Sequence, residues 1–169
     1  MNQLLKSALK YEAKGFSVIP LGQDKRPVET DEIQHLHLKW EPYQKRRPTE
    51  QEIRQWWKKW PMANIGIVTG EISNLLLVDG DDYRVPGASE RIQKAIPESL
   101  LVPCQRTPRK GMHFFFAHSP GLVSRASSIP GVDIKTNGGY AAVEGSTPDG
   151  KWEWIVGLLD TDLPKLPFT

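Results

Sequence analysis

Apolar residues recur at helical spacing in two segments of the N-terminal part of the chain. The first segment predicts an amphipathic helix over residues 2–14, ended by Gly15, because its apolar side chains fall on one face: Leu4, Leu5, Ala8, Leu9 and Tyr11. The second begins at Thr49, where TEQE as far as Glu52 matches a capping box, and it runs to about Lys59. The pattern therefore predicts two helices before the middle of the chain.

Short apolar runs separated by polar turns fill most of the remaining sequence. FSVIP predicts a strand near the N-terminus, residues 21–48 form a long connection with little periodicity, and residues 89–96 predict a short helix. Further strands are predicted at IGIVTG, LLLVD, LVPCQR, HFFFAH, VDIKT, YAAVE and WEWIV. The turn NGG between VDIKT and YAAVE predicts that these two strands form a hairpin. This order of elements predicts an α+β fold.

Length and composition fit a single globular domain over residues 1–169 with a sizeable core. No apolar stretch approaches the roughly 18 residues that span a bilayer. The N-terminal segment lacks the apolar core of a secretory signal, so we expect a cytoplasmic protein without a membrane partner. A single cysteine, Cys104, excludes an internal disulfide and a multi-cysteine zinc site.

The net charge is only +2, but the basic residues are clustered and lie close to aromatic residues. Such a mixture suits single-stranded nucleic acid, with cations for phosphates and rings for base stacking. The alternative is a solvated helix face above a tryptophan core, which we favour for the cluster that contains Trp56, Trp57 and Trp60.

Acidic residues follow a buried strand in the segment NLLLVDGDD. Side chains alternate along a strand, so Asp79 and Asp81 point to the same side, whereas Asp82 faces away and is assigned to the turn. Two carboxylates at the end of an apolar strand suit a divalent cation. They are also typical of an ordinary polar turn, and this segment alone does not decide between the two.

Other chemically suitable residues lie further along the chain. Asp133 stands within the strand VDIK and needs a partner there, either a metal or a lysine. Three carboxylates suit Mg²⁺ or Mn²⁺, and a pair of such ions serves phosphoryl transfer. A triphosphate would be held by the cationic and polar side chains around them, and Gly111 would let the backbone approach its phosphates. These candidates are His113, Arg109, Lys110 and Lys135.

These motifs resemble the primase-polymerase domains of the archaeo-eukaryotic primase superfamily, which occur in plasmid, phage and other mobile-element replication proteins. LLLVDGD, GMH and VDIK are similar to the three motifs of that family. GFSVIPLGQDKRPV, the tryptophan-rich segment up to NIGIVTG, and DIKTNGGYAAVEGS resemble the parts that link them. The resemblance covers nearly the whole chain.

The resemblance implies a core with an α/β N-terminal portion and an RRM-like antiparallel sheet that bears the acids. It implies a template-directed nucleotidyltransferase, a DNA primase or polymerase, that uses Mg²⁺ or Mn²⁺ and no zinc. Asp79, Asp81 and Asp133 would bind the metals, and His113, Arg109 and Lys135 would bind the nucleotide.

The implied partners are a single-stranded DNA template with its primer, NTPs or dNTPs, and a helicase or helical accessory domain. Two glycines depart from the family pattern: Gly80 replaces an apolar residue and would loosen the strand, and Gly111 replaces a serine that bonds the nucleotide. Further candidates for contacts with template or substrate are Lys25, Arg26, Lys39 and Asn64.

Two other functions are considered. His35 and His37 form a His-apolar-His triplet like that of rolling-circle nucleases, but neither Tyr83 nor Tyr140 is followed by the required lysine. We therefore interpret both histidines as polar loop residues.

A non-catalytic module that binds single-stranded nucleic acid would stack bases on the phenylalanines of HFFFAH, at positions 114–116. Three consecutive phenylalanines are more typical of a core. Three converging acids would also repel phosphates unless metals neutralised them, which favours catalysis.

Overall fold

The predicted helices and strands occur in the predicted order in the computed structural model, which describes residues 1–31 and 36–168. Five short strands in these described ranges were not predicted: two lie within the expected connection, at 29–31 and 36–37, and three lie at 125–129, 146–147 and 150–151. The described α-helices are α1 (Gln3–Ala13), α2 (Glu50–Lys59) and α3 (Ala88–Ala95). The strands before α3 are β1 (Val18–Leu21), β2 (Glu29–Asp31), β3 (Leu36–His37), β4 (Asn64–Val68) and β5 (Leu76–Gly80). Those after it are β6 (Cys104–Arg106), β7 (Met112–Phe116), β8 (Arg125–Ile129), β9 (Val132–Lys135), β10 (Tyr140–Glu144), β11 (Ser146–Thr147), β12 (Gly150–Lys151) and β13 (Glu153–Val156). The mixture of helices with antiparallel sheets confirms the α+β class.

The larger sheet has the strand order β13-β6-β7-β5-β9-β8, and all its pairs are antiparallel. Strand β5 lies near the middle of this sheet, and its apolar residues are buried on both faces. Leu76 and Val78 pack with α3 in one cluster, whereas Leu77 packs with Phe115 in the other. The odd-numbered residues of β5 and β7 therefore share the face away from α3.

A smaller antiparallel sheet, in the order β1-β4-β10, joins the two halves of the sequence. Strand β10 comes from the C-terminal half but pairs with β4, and the buried side chains of both strands belong to one core with those of α1 and α2. This core lies against the face of the larger sheet that carries Leu77 and Phe115.

Both N-terminal helices begin where the sequence predicts. The Asn2 side chain accepts a hydrogen bond from the Leu5 N–H at 2.9 Å, and α1 is followed by Gly15 at a φ of 105°. Thr49 and Glu52 form a complete capping box, with distances of 2.7 Å and 3.2 Å for its two hydrogen bonds. The predicted limits of both helices are confirmed.

The tryptophan and phenylalanine clusters belong to the core. Trp56 and Trp57 are buried, and the Trp57 indole N–H donates to the carbonyl oxygen of Ala63 at 3.1 Å. The phenylalanines of β7 are at most 3% exposed. These rings do not offer a surface for stacked bases, so the phenylalanines of β7 do not supply the stacking that the binding-module hypothesis assigns to them. No helix in the described ranges is long and apolar enough to cross a membrane.

The predicted hairpin of VDIKT and YAAVE is wrong. Strand β9 pairs with β5 and β8, whereas β10 pairs with β4 in the other sheet. The chain does reverse its direction locally, with Gly138 at a φ of 84°. The Asn137 side chain, however, accepts a hydrogen bond from the Glu71 N–H at 2.9 Å, which holds the turn against the segment that follows β4. A turn motif sets the local backbone and does not choose the partner of the next strand.

Candidate active site

The register of the larger sheet places three of the predicted site residues in one row. Asp79 in β5 is directly opposite His113 in β7 and directly opposite Asp133 in β9. Opposed residues in an antiparallel pair face the same side of the sheet, so these three side chains lie next to each other. The His113 Nε2 atom is 3.6 Å from the Asp79 Oδ1 atom.

Asp81 and Asp82 follow the end of β5 and have different roles. The Asp81 N–H donates to the carbonyl oxygen of Gly131 at 2.8 Å, which holds this residue beside the start of β9. The Asp82 carboxylate instead accepts hydrogen bonds from the Ser89 N–H, at 3.2 Å, and from the Ser89 hydroxyl. Asp82 thus fixes the first turn of α3, which confirms its assignment to the turn.

A cleft of about 620 Å³ opens over this row of residues. Asp79, Asp81 and Asp133 line it together with His113. The cationic residues along the same cleft are Lys25, Arg109, Arg125 and Lys135. The structure therefore brings the three carboxylates into one concave surface with several positive charges, an arrangement suited to a polyanion that is held beside a cation.

Arg84 is a residue of this site that the sequence does not indicate. Its Nη2 atom is 3.3 Å from the Asp133 Oδ1 atom, and its Nε atom is 3.9 Å from the Asp81 Oδ2 atom. Its backbone N–H donates to the Asp81 Oδ1 atom at 3.1 Å. The guanidinium group thus lies between two of the carboxylates and compensates part of their charge.

The carboxylates suit a hard divalent cation in their chemistry, because they supply oxygen atoms at one end of the cleft. In the side-chain positions of the described residues, however, no group of three or more His, Cys, Asp or Glu side chains is arranged to hold a metal ion. Arg84 explains part of this, since it contacts two of the three predicted ligands.

His113 lies in a buried environment beside Asp79. Burial lowers the pKa of its imidazole below the ordinary value, and the Asp79 carboxylate opposes this effect only in part. The His113 Nδ1 atom lies 2.9 Å from the Gln105 Nε2 atom, which is also 2.9 Å from the carbonyl oxygen of Ala142. Gln105 is a second site residue without an indication in the sequence.

Arg109 lines the cleft but already has two partners. Its guanidinium carbon lies 4.0 Å from the centre of the Tyr83 ring, and its Nε atom is 3.5 Å from the Asp149 Oδ2 atom. Tyr83 is 67% exposed at the edge of the site. The stack holds the Arg109 cation at the cleft entrance.

The two glycines of the motifs allow close packing of the backbone. A Cβ atom at Gly80 would lie 2.6 Å from the Ser89 Oγ atom and 2.9 Å from its Cα atom, so the glycine lets α3 pack on β5. A Cβ atom at Gly111 would overlap the carbonyl oxygen of Gly80. The expectation that Gly80 loosens the strand does not agree with this packing. The close approach at Gly111 is to strand β5.

Several predicted residues lie outside the cleft. Lys110, Arg26 and Lys39 are exposed and are not among the residues that line it. Asn64 is buried, and its side chain bonds the carbonyl oxygen of Gly22 and the backbone of Ser146. The structure thus gives Asn64 a role in packing, and the expectation that it contacts template or substrate is not supported. The triplet at positions 35–37 is not placed, because His35 lies outside the described residues and so does the side chain of His37.

Comparison with known proteins identifies one family. The family model described as "Bifunctional DNA primase/polymerase, N-terminal" matches residues 8–168, which is nearly the whole chain. No curated protein matches the chain. The match covers every strand that carries a residue of the cleft.

Proposed function

Because the chain belongs to the bifunctional DNA primase/polymerase family, we propose that it catalyses template-directed nucleotidyl transfer onto a DNA primer. The observation that carries this proposal is the row formed by His113, Asp79 and Asp133 at the base of a cleft that Asp81 also lines. In the reaction, a 3′ hydroxyl oxygen bonds to the α-phosphorus of a bound triphosphate. The bond between that phosphorus and the bridging oxygen breaks, the hydroxyl proton passes to solvent, and pyrophosphate leaves.

Asp79, Asp81 and Asp133 would hold Mg²⁺ or Mn²⁺, which, when bound, makes the hydroxyl more acidic and offsets the charge of the leaving group. The chain's own residues supply binding and orientation. Lys25, Arg109 and Lys135 line the cleft and would neutralise the triphosphate.

The neutral ring of His113 has one N–H, which would donate to a phosphate oxygen without adding charge. Its ring is buried between β6 and β5, so its position is fixed before the nucleotide arrives. Groups that are already oriented in this way cost little reorganisation during the reaction. The cleft volume of about 620 Å³ is also within the range that holds a small ligand.

The test is extension of a labelled DNA primer on a longer template, with Mg²⁺ or Mn²⁺ and with dNTPs or NTPs. We expect the wild-type protein to extend the primer and Asp79→Asn to lose at least about a hundredfold in rate. Glu90→Gln is the control, because Glu90 is exposed on α3 and pairs with Lys94. A parallel reaction without primer separates initiation from extension.

The proposal fails for this chain if neither metal supports template-dependent products while single-stranded DNA is still bound. It also fails if Asp79→Asn extends the primer as fast as Glu90→Gln does. The first result would leave a nucleic-acid-binding role, whereas the second would leave the activity but remove Asp79 from its site.

A further inference from the structure

Gln105 contacts His113 from the neighbouring strand, in the interior of the sheet. The two residues are directly opposed in the pairing of β6 with β7, and Gln105 is fully buried. Its side-chain nitrogen lies 2.9 Å from the His113 Nδ1 atom and 2.9 Å from the carbonyl oxygen of Ala142. Gln105 therefore links the histidine to strand β10 of the other sheet.

The orientation of the Gln105 amide follows from Ala142. A backbone carbonyl oxygen only accepts hydrogen bonds, so the Gln105 atom that faces it is the NH₂ group. That group has two N–H bonds, and the second is available to the His113 Nδ1 atom, which lies 2.9 Å from the nitrogen. The Gln105 Oε1 atom is buried without a hydrogen-bond partner in the described part of the chain. Such an unsatisfied oxygen costs stability, yet the amide keeps its donor toward the histidine.

A donor at Nδ1 decides where the proton of the neutral imidazole lies. A neutral ring has one N–H and one acceptor nitrogen, and Nδ1 has to be the acceptor if it meets an N–H of Gln105. The proton is then on Nε2, the atom that faces Asp79 and the cleft. In the opposite tautomer the Nδ1–H would meet the Gln105 N–H, and both groups would have to share the carbonyl oxygen of Ala142, which also contacts the His113 ring.

We propose that Gln105 is a positioning residue: by donating a hydrogen bond to Nδ1 it keeps that nitrogen unprotonated, so that the single N–H of the His113 ring is on Nε2 and points into the cleft. The tautomer follows from the protein alone. Its use, donation to a phosphate of a bound nucleotide, rests on the function proposed above. Without Gln105 the His113 ring would lose a preference of about three- to tenfold for the Nε2–H tautomer, which is the effect of one neutral hydrogen bond.

Nuclear magnetic resonance of protein labelled with ¹⁵N-histidine tests the tautomer directly, through long-range ¹H–¹⁵N correlations at a pH where the ring is neutral. The chain has four histidines, so His113 is assigned by the signal that disappears in His113→Gln. We expect the wild-type protein to show the Nε2–H pattern. An Nδ1–H pattern or a mixture in the wild type would overturn the proposal.

Two variants test the role of Gln105 in the same spectra. Gln105→Met keeps the size and removes the donor, so we expect an averaged pattern of both tautomers. Gln105→Glu offers an acceptor and is expected to move the proton to Nδ1. The control is Gln93→Met on the exposed side of α3, and the signal of His118, whose Nδ1 atom contacts the Thr136 hydroxyl at 3.0 Å, serves as an internal reference. A pure Nε2–H pattern in folded Gln105→Met would overturn the proposal.

Affinity for a non-hydrolysable nucleoside triphosphate gives the functional readout. We expect Gln105→Met to bind it about three- to tenfold more weakly than Gln93→Met does. Equal affinities with an altered tautomer would overturn the role of Gln105 in nucleotide binding. If the wild-type protein binds no triphosphate although its tautomer is as expected, the proposed function fails and the assignment of the tautomer stands.

Discussion

Arg84 and Asp133 form an ion pair across the carboxylate end of the cleft, with 3.3 Å between the Nη2 and Oδ1 atoms. The same guanidinium also approaches Asp81. A cation from the chain therefore contacts two of the three carboxylates that we propose as ligands of a metal ion. A divalent cation bound there would compete with Arg84 for these carboxylates, and the arginine lowers the repulsion among the acids.

Arg84→Ala is expected to bind Mn²⁺ more tightly than the wild-type protein, because the ion no longer has to displace a guanidinium group. An exposed ion pair contributes about 0.2–1 kcal/mol, so we expect an increase in affinity of about two- to fivefold. Isothermal titration calorimetry measures this without any catalysis. The matched control is Arg54→Ala, since Arg54 pairs with Glu50 on α2 and has the same exposed side-chain fraction of 45%. Unchanged or weaker Mn²⁺ binding in Arg84→Ala would contradict the competition.

Substitutions of Asp81 and Asp82, the two adjacent acids that follow β5, are expected to have different effects. Asp81→Asn removes a proposed ligand but keeps an oxygen that can accept the hydrogen bond of the Arg84 N–H, so it should reduce primer extension at least about a hundredfold and leave the fold intact. Asp82→Ala removes the hydrogen bonds to Ser89 at the start of α3 and should lower the free energy of unfolding by about 0.5–2 kcal/mol.

Urea denaturation and primer extension, measured on both variants, separate the two roles. Asp82→Ala should retain extension at a temperature where it is folded. Loss of extension in folded Asp82→Ala would contradict the structural role of Asp82. Full extension in Asp81→Asn would contradict the role of Asp81 in the proposed active site.

The sequence identifies the chemistry of the site better than its geometry. The apolar run that ends at Asp79 predicts a buried strand with acids at its end, because that pattern depends only on local alternation. The alignment of Asp79 with Asp133 depends on the pairing of β5 with β9, which are far apart in the sequence. The same long-range pairing separates β9 from β10 and makes the local hairpin prediction wrong.

Arg84 and Gln105 show a second limit of the sequence. Arg84 lies in a turn after β5, where a charged residue is ordinarily solvated. Gln105 is a polar residue in a strand of only three residues, too short to show alternation. Both acquire their role from residues on other strands, and so no local pattern distinguishes them from surface residues.

Packing of α3 on β5 leads to a prediction for the two motif glycines. Gly80→Ala and Gly111→Ser should each lower the free energy of unfolding by about 1–3 kcal/mol, because the new atoms would overlap Ser89 or the carbonyl oxygen of Gly80. Gly157→Ala is the control, since its Cβ atom would approach only the end of the flexible Asp160 side chain, at 3.1 Å. Chemical denaturation measures all three. A serine accepted at position 111 without loss of stability would show that this glycine is not needed for packing.

Glu52, which lies outside the proposed active site, makes the stability of the fold depend on pH. Hydrogen bonds from Arg46 are the main cause that lowers the pKa of Glu52 from 4.5 to about 2. The Thr49 N–H and the Tyr43 hydroxyl lower the pKa further, whereas partial burial opposes these effects. A carboxyl group whose pKa is depressed in the folded state stabilises the protein above its unfolded pKa. That contribution is lost as the pH falls from about 4.5 toward about 2.

Glu52→Gln keeps an oxygen for the capping box but has no charge at any pH. We expect the variant to melt at a lower temperature than the wild-type protein at about pH 7. The difference should shrink at about pH 3, because the Glu52 carboxyl group of the unfolded wild-type chain is then largely protonated. Glu50→Gln is the control, because Glu50 lies in the same helical turn and makes an exposed ion pair with Arg54. A difference in melting temperature between Glu52→Gln and the wild type that stays constant from neutral to acid pH would mean that the Glu52 charge does not stabilise the junction of Arg46 and α2. The loss of stability would then come from the geometry of the hydrogen bonds alone, since the amide changes that geometry equally at every pH.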